Sequence, residues 1–180
     1  KWLPNSDRIF LISVPSPAGG MTDRGPSDIG KWVAADLPEF EAVTRLFRNS
    51  ALFRKDGFEF NESITWADAN VFDVLQLPVV AGTLDGALER PDTLVLTRET
   101  AERYFGRVEA VGETLTVDDH LMTVTAVIED LPSNTHLDIQ VLGAAHSTYS
   151  PGAEQDLTPL TIVGAKRWSA QTYGLLKPGQ

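Results

Sequence analysis

The chain has 180 residues, enough for one domain or two small lobes around a buried core. With 42% hydrophobic and 22% charged residues it has the composition of a globular protein. Its net charge of −10 argues against a nucleic-acid-binding face and against an electrostatic membrane anchor, and the absence of cysteine excludes disulfides, thiolate catalysis and Cys-based zinc sites. No stretch reaches the ~18 consecutive apolar residues of a membrane span. The start, Lys1-Trp2-Leu3-Pro4, lacks an initiator Met and the apolar segment of a secretory leader, so the expectation is a piece of a longer protein.

Arg8 to Val14 is an apolar run that predicts a buried strand, ended by the Pro15–Gly20 loop. Pro26-Ser27-Asp28 predicts a helix start with Ser27 as the N-cap. Ile29, Trp32, Val33 and Leu37 would form its inward face, and Pro38 ends it. Phe40–Phe47 predicts a strand. Leu52–Lys55 and Phe58–Phe60 predict a hairpin about Asp56-Gly57, the strongest short signal of its kind. Ile64–Trp66 predicts another strand. Asp68 is placed to cap a short helix over Asn70–Leu75, with Val71, Phe72 and Leu75 inward.

Leu77–Gly82 reads as an extended link and Thr93–Leu96 as a strand. Thr97 should cap a helix over Arg98–Phe105, with Ala101, Tyr104 and Phe105 buried and Gly106 as a left-handed C-terminal cap. Thr114–Val117 and Leu121–Ile128 alternate about an Asp118-Asp119-His120 turn, a second hairpin. Leu131–Asn134 breaks the pattern. Leu137–Leu142 predicts a strand, Tyr149–Pro159 a loop, and Thr161–Val163 with Thr172–Leu176 late strands. Strands outnumber helices and hairpins are clear, so the fold class is α+β.

Catalytic chemistry finds no foothold. His120, His136 and His146 lack metal-ligand spacing on one element, and His120 beside Asp118 and Asp119 is explained by a polar turn. Glu39, Glu41, Glu59, Glu62, Asp68 and Asp73 are carboxylates that pairing could bring together, but solvated faces and helix caps account for them. There is no Gly-x-Ser-x-Gly, no Gly-x-Gly-x-x-Gly and no Walker A sequence, which leaves no ATPase within the chain. Asn61-Glu62-Ser63 matches a glycosylation acceptor, a triplet that arises often by chance. Of four tryptophans, Trp32 and Trp66 are read as core, and Trp2 and Trp168 lie near the ends. No catalytic, cofactor-binding or metal-binding residue is assigned.

One ordered set of fragments carries more. Asp7-Arg8-Ile9-Phe10, Leu37–Val43, Asp68–Val74 and Pro78–Gly82 are followed by Tyr104-Phe105-Gly106, Asp130-Leu131-Pro132-Ser133-Asn134-Thr135-His136-Leu137, Trp168 and Thr172–Leu176. In order and spacing this set resembles the MacB-like periplasmic core domain of bacterial ABC-transporter permeases. Thr135 stands where the family pattern has serine.

The resemblance implies an extracytoplasmic domain between the first and second transmembrane helices, at the periplasmic face of the inner membrane. It implies two lobes: a porter-like βαβ lobe from 1–76 and 136–180, and an inserted mixed lobe with hairpins from 77–135. It implies work without chemistry. The domain would transmit movement driven by a cytoplasmic ABC ATPase domain or subunit, beside a second permease copy and with a membrane-fusion protein as a further partner, in export of a compound, peptide or lipoprotein. Apolar spans would then flank Lys1 and Gln180 in the parent protein. The alternatives are a free-standing periplasmic small-molecule-binding protein or hydrolase, which needs a concave polar site between lobes, and a cytoplasmic interaction module.

Overall fold

A computed structural model describes residues 2–16, 18–156 and 168–179. The elements run β1 (Ile9–Ile12), β2 (Val14–Pro15), β3 (Met21–Thr22), β4 (Gly25–Pro26), α1 (Ile29–Asp36), β5 (Phe40–Lys55), β6 (Phe58–Ala67) and α2 (Val71–Val74). They continue β7 (Val79–Gly82), β8 (Thr93–Thr97), α3 (Arg98–Phe105), β9 (Thr114–Val117), β10 (His120–Ile128), β11 (Val141–Ala144), α4 (Pro151–Asp156) and β12 (Trp168–Leu176). The result is a sheet-dominated α+β fold.

One mixed sheet runs β1-β12-β5-β6-β11-β8-β10-β7. Its backbone is the β5–β6 ribbon, in register from Leu46↔Ala67 to Lys55↔Phe58. The predicted separate strands merge into this ribbon. Its turn is built as expected, with Asp56 and Gly57 both at positive φ, 51° and 84°. The second hairpin, β9–β10, turns on Asp118 and Asp119 at φ 46° and 69°. Aspartate tolerates this left-handed region better than most residues.

That second turn does more than reverse the chain. The Leu52 amide donates to the Asp118 carboxylate (2.8 Å), the Asp118 amide donates back to the Leu52 carbonyl (3.0 Å), and Arg54 pairs with Asp119. β9 is thereby pinned to β5 at Phe53↔Val117. The pairings β5–β6, β6–β11, β11–β8, β8–β10, β10–β9 and β9–β5 close into a circuit.

Two cores follow. Phe47, Phe53, Ile64, Trp66, Leu94, Leu115 and Met122 form one with Ala101 and Tyr104 of α3. Gly143 admits the Trp66 ring there, since a Cβ would lie 2.8 Å from it. The other core joins the opposite sheet face to α2 and the late strands through Leu46, Val71, Leu75, Leu88, Ile128, Leu142, Tyr173 and Leu175.

Several expectations are corrected. β1 is an edge strand, not a buried one, and its Phe10 is exposed. The α1 N-cap is Asp28, because the Ser27 carbonyl is turned to Arg45, which donates to it at 3.3 Å. Trp32 is 49% exposed rather than core, and Leu37 is also exposed. The helix meets the sheet through Gly30, where a Cβ would sit 3.0 Å from Arg45 Cγ. Trp32 lies about 200° round the helix from that contact. Asp68 is not a cap: α2 follows Asn70, and Asp68 binds Arg45. Val71 and Leu75 are buried as expected, Phe72 packs half-buried against the same core, and Val74 joins them.

The link over 77–82 contains β7, antiparallel to β10. The strand expected at Leu137–Leu142 is β11, Val141–Ala144. The loop expected from Tyr149 contains α4. Ser150 before Pro151 caps it, accepting the Ala153 amide at 3.2 Å, a start signal present in the sequence. The Thr161–Val163 strand, the end of the 149–159 loop and the Trp168 side chain lie outside the described residues. The α3 expectations hold at the caps and at Ala101 and Tyr104, while Phe105 is only half-buried: Thr97 accepts the Thr100 amide, and Gly106 is left-handed at φ 68°.

Arg45 is 7% exposed and holds three segments. Its backbone amide and Nε both donate to Asp68 Oδ2 at 2.9 Å, and Nη2 donates to Oδ1 at 2.8 Å. Asp68→Ala takes the bidentate carboxylate away from the buried guanidinium, and Arg45→Met takes the guanidinium away from that carboxylate. Each should cost about 3 kcal/mol in urea unfolding, and the double substitution less than the sum. Additive losses would show the two residues to be independent.

Candidate interaction site: the paired chain ends and the Asp130–Leu137 loop

The two ends of the chain lie side by side. β1 pairs antiparallel with β12 from Ile9↔Leu175 to Ile12↔Thr172. The Leu176 amide donates to the Arg8 carbonyl at 2.9 Å, and the Lys177 amide to the Glu39 carbonyl at 2.9 Å. Arg8 Nη1 bridges the Glu41 carboxylate (3.0 Å) and the Leu176 carbonyl. Alternation puts Ile9, Leu11, Tyr173 and Leu175 on the face that packs against α2.

The Asp130–Leu137 loop follows β10. Arg98 of α3 grips Glu129 with two bonds, 3.0 and 2.8 Å, and the Asp130 carboxylate accepts the Glu99 amide at 2.9 Å. A carboxylate is favoured at that helix N-terminus. The loop then turns on itself: the Thr135 amide donates to the Pro132 carbonyl (3.1 Å), and Thr135 Oγ1 accepts the Leu137 amide (3.2 Å). A serine hydroxyl could make the same contact. Leu137 and Ile139 are buried, and the exposed His136 ring lies over Tyr173, centroids 5.9 Å apart. Arg48 pairs with Asp138 at 2.5 Å.

The candidate catalytic types are dispersed. His120 stacks on Tyr149 at 3.8 Å, His136 covers Tyr173, and His146 is exposed in the turn after β11. Glu41, Glu59, Glu62 and Asp68 each face an arginine: Arg8, Arg54, Arg103 and Arg45. Asp73 borders an open groove beside α2, and the Glu39 carbonyl receives Lys177. Asn61 is exposed on β6. Among the described residues no group of three or more His, Asp or Glu is arranged to hold a metal ion, and no helix is long and apolar enough to cross a membrane. Sequence reasoning missed Arg8, Arg45, Arg48 and Arg98, because their carboxylate partners are far away along the chain.

The family model of the MacB-like periplasmic core domain matches residues 1–180, the whole chain. The chain belongs to this family. No curated protein sequence matches it. Several solved structures share its fold, three of which follow. A domain of a protein described as a permease from Porphyromonas gingivalis is 20% identical with a TM-score of 0.75, covering 99% of this chain and 79% of that one. The periplasmic region of MacB from Actinobacillus actinomycetemcomitans is 12% identical with a TM-score of 0.67, covering 98% and 77%. The extracellular domain of the noncanonic ABC-type transporter YknZ from Gram-positive bacteria is 15% identical with a TM-score of 0.59, covering 94% and 83%. The protein is thus a periplasmic domain of the MacB/FtsX-like permease type, a transporter family that works with ABC ATPases rather than a known enzyme family.

Arg98 lowers the Glu129 pKa below its ordinary 4.5, chiefly through the side-chain hydrogen bond. A depressed carboxyl pKa adds stability above the unfolded value and loses it as pH falls through the folded one. Wild type should therefore melt above Arg98→Met at neutral pH, and the gap should close as the solution is acidified below about 4.5. A gap that stays constant with pH would show that the pair is not ionic in effect.

Proposed function

We propose that this domain transmits the movement of two flanking membrane helices to partners in the periplasm. It would sit at the periplasmic face of the inner membrane, beside a second permease copy, during export of a compound, peptide or lipoprotein. The observation that carries the reading is the pairing of β1 with β12. Helices continuing from either end would enter the domain through neighbouring strands, about 5 Å apart. Arg8, Glu41 and the Leu176 carbonyl tie those strands to β5. β5 runs unbroken for 16 residues to the far hairpin, so displacement at the chain ends reaches its tip through one covalent strand.

Close-packed cores support rigid transmission, because they resist compression. We keep the division into 1–76 with 136–180 and 77–135. The first part carries both ends, and the second supplies β7 to β10. The two are joined through β11–β8 and β5–β9. A membrane-fusion protein is the docking partner this reading favours, with ATP hydrolysed by the cytoplasmic ABC domain or subunit.

This domain has no cysteine of its own, so once any cysteines elsewhere in the parent protein are replaced by serine, one introduced here is the single labelling site. In the whole permease with its ATPase, a spin label at Glu102→Cys, exposed on α3, reports the distance between the two copies. That distance should differ between ATP- and ADP-bound states. A flexible Gly-Ser insertion before Arg8 and after Lys177 should abolish the difference while ATP hydrolysis continues. Identical distances in both nucleotide states would overturn the proposal.

A further inference from the structure

A sheet that ends on a bare strand offers that strand's backbone to whatever strand comes beside it. The main sheet ends on β1 at one side and on β7 at the other, and the two edges are finished differently. β7 is guarded. Pro78 stands just before it, its pairing with β10 skips Val80, and it closes on the left-handed Gly82 (φ 79°). Prolines, bulges and charges are how natural sheets keep an edge from recruiting another strand. β1 carries none of these. Ile9-Phe10-Leu11-Ile12 is an uncharged run, paired with β12 without a break in register, and Phe10 is 47% exposed on it.

The hydrogen bonding fixes which groups are free. The Leu176 amide donates to the Arg8 carbonyl, so Arg8 and Leu176 stand at a bonded position of the antiparallel ladder. Bonded positions alternate along such a ladder, so Phe10 and Ile12 also turn their backbone groups towards β12. Ile9 and Leu11 turn theirs away, and among the described residues β12 is the one strand paired with β1. The edge therefore presents the amides and carbonyls of Ile9 and Leu11, with the exposed Phe10 ring between them.

We infer that this edge is completed by the same edge of a second copy, the two β1 strands pairing antiparallel about a twofold axis at Phe10. In that register Ile9 of each copy exchanges its amide and carbonyl with Leu11 of the other, and the two Phe10 rings cover one another. The flanks agree with it. Arg8 falls opposite Ile12 and Asp7 opposite Ser13, so no like charges meet although each domain carries −10. A contact of one edge with itself closes at two copies, whereas β1 against β7 would run on into open chains, and the guarded β7 opposes that. The inference rests on the reading of two permease copies side by side and names where they touch.

The test uses the whole permease with its ATPase, any cysteines elsewhere replaced by serine. Opposed Phe10 residues would occupy a non-bonded position with Cα atoms about 4.5 Å apart, within the span of a disulfide. Phe10→Cys should therefore form a covalent dimer under mild oxidation, in the ATP- or the ADP-bound state. Ser13→Cys should not, because its two copies would lie about six residues of strand, roughly 20 Å, apart. Spin labels at Ser13→Cys should read close to that separation. Leu11→Pro removes an outward amide and no bond to β12, and should cut the Phe10→Cys cross-link about tenfold, the worth of the backbone bonds lost. Should Leu11→Pro fail to fold, the Ser13→Cys label distance decides. No cross-link at Phe10→Cys in either state, equal cross-linking at Ser13→Cys, or a label distance twice that expected would overturn the inference. Its failure with the Glu102→Cys distance change intact removes the edge pairing alone. A cross-link with no distance change removes force transmission alone.

Discussion

A buried arginine cannot shed its proton, so its charge must be met where it lies. Arg45 meets that demand with Asp68, and the solution organises one half of the molecule. The carboxylate accepts from both the side chain and the backbone of residue 45, which holds the end of β6 against the middle of β5. The remaining guanidinium edge reaches the Ser27 carbonyl and so sets where α1 begins. Gly30 is needed because the arginine stem fills the space a larger residue would occupy. The guanidinium also lies over the Phe47 ring at 5.3 Å, which links this polar knot to the core inside the strand circuit.

The other organising contact is at the far end of the same strand. Asp118 and Asp119 fasten the β9–β10 turn to β5, and the circuit of strands closes there. β5 therefore serves two neighbourhoods on one edge, β12 along its first half and β9 near its tip. This shared strand explains why the two hydrophobic clusters, on opposite sheet faces, both draw on residues from early and late in the chain. The polar pairs that lock it are ordinary in strength, and their value is placement: each joins segments separated by 23 residues or more.

What could be read from the sequence was local. The Asp56-Gly57 turn, the Thr97 cap and the Gly106 stop depend on neighbours within a few residues, and they stand where periodicity and capping chemistry put them. The two hairpins and the α+β class follow from the same short-range rules. Asp68 was misread because cap and ion-pair partner use the same side chain, and its arginine lies 23 residues earlier. Trp32 was misread because helical periodicity identifies an apolar face but not whether a neighbour covers it, and here a glycine makes the contact. The free edge of β1 was beyond reach, since which of its sides is covered depends on β12 at the other end of the chain. The ordered fragments nonetheless pointed to the right family.

The position of β12 has a consequence for how the protein is made. β12 lies between β1 and β5, so the first strand synthesised has no neighbour until the last one arrives. Throughout translation the β5 edge from Phe40 to Phe47 stays unpaired, and Tyr173 and Leu175 are missing from the second core. An unpaired strand edge beside apolar surface invites association with other chains. The nascent domain therefore stays vulnerable until its final residues emerge, and any periplasmic chaperone acting on it would have to hold that edge until β12 completes the sheet.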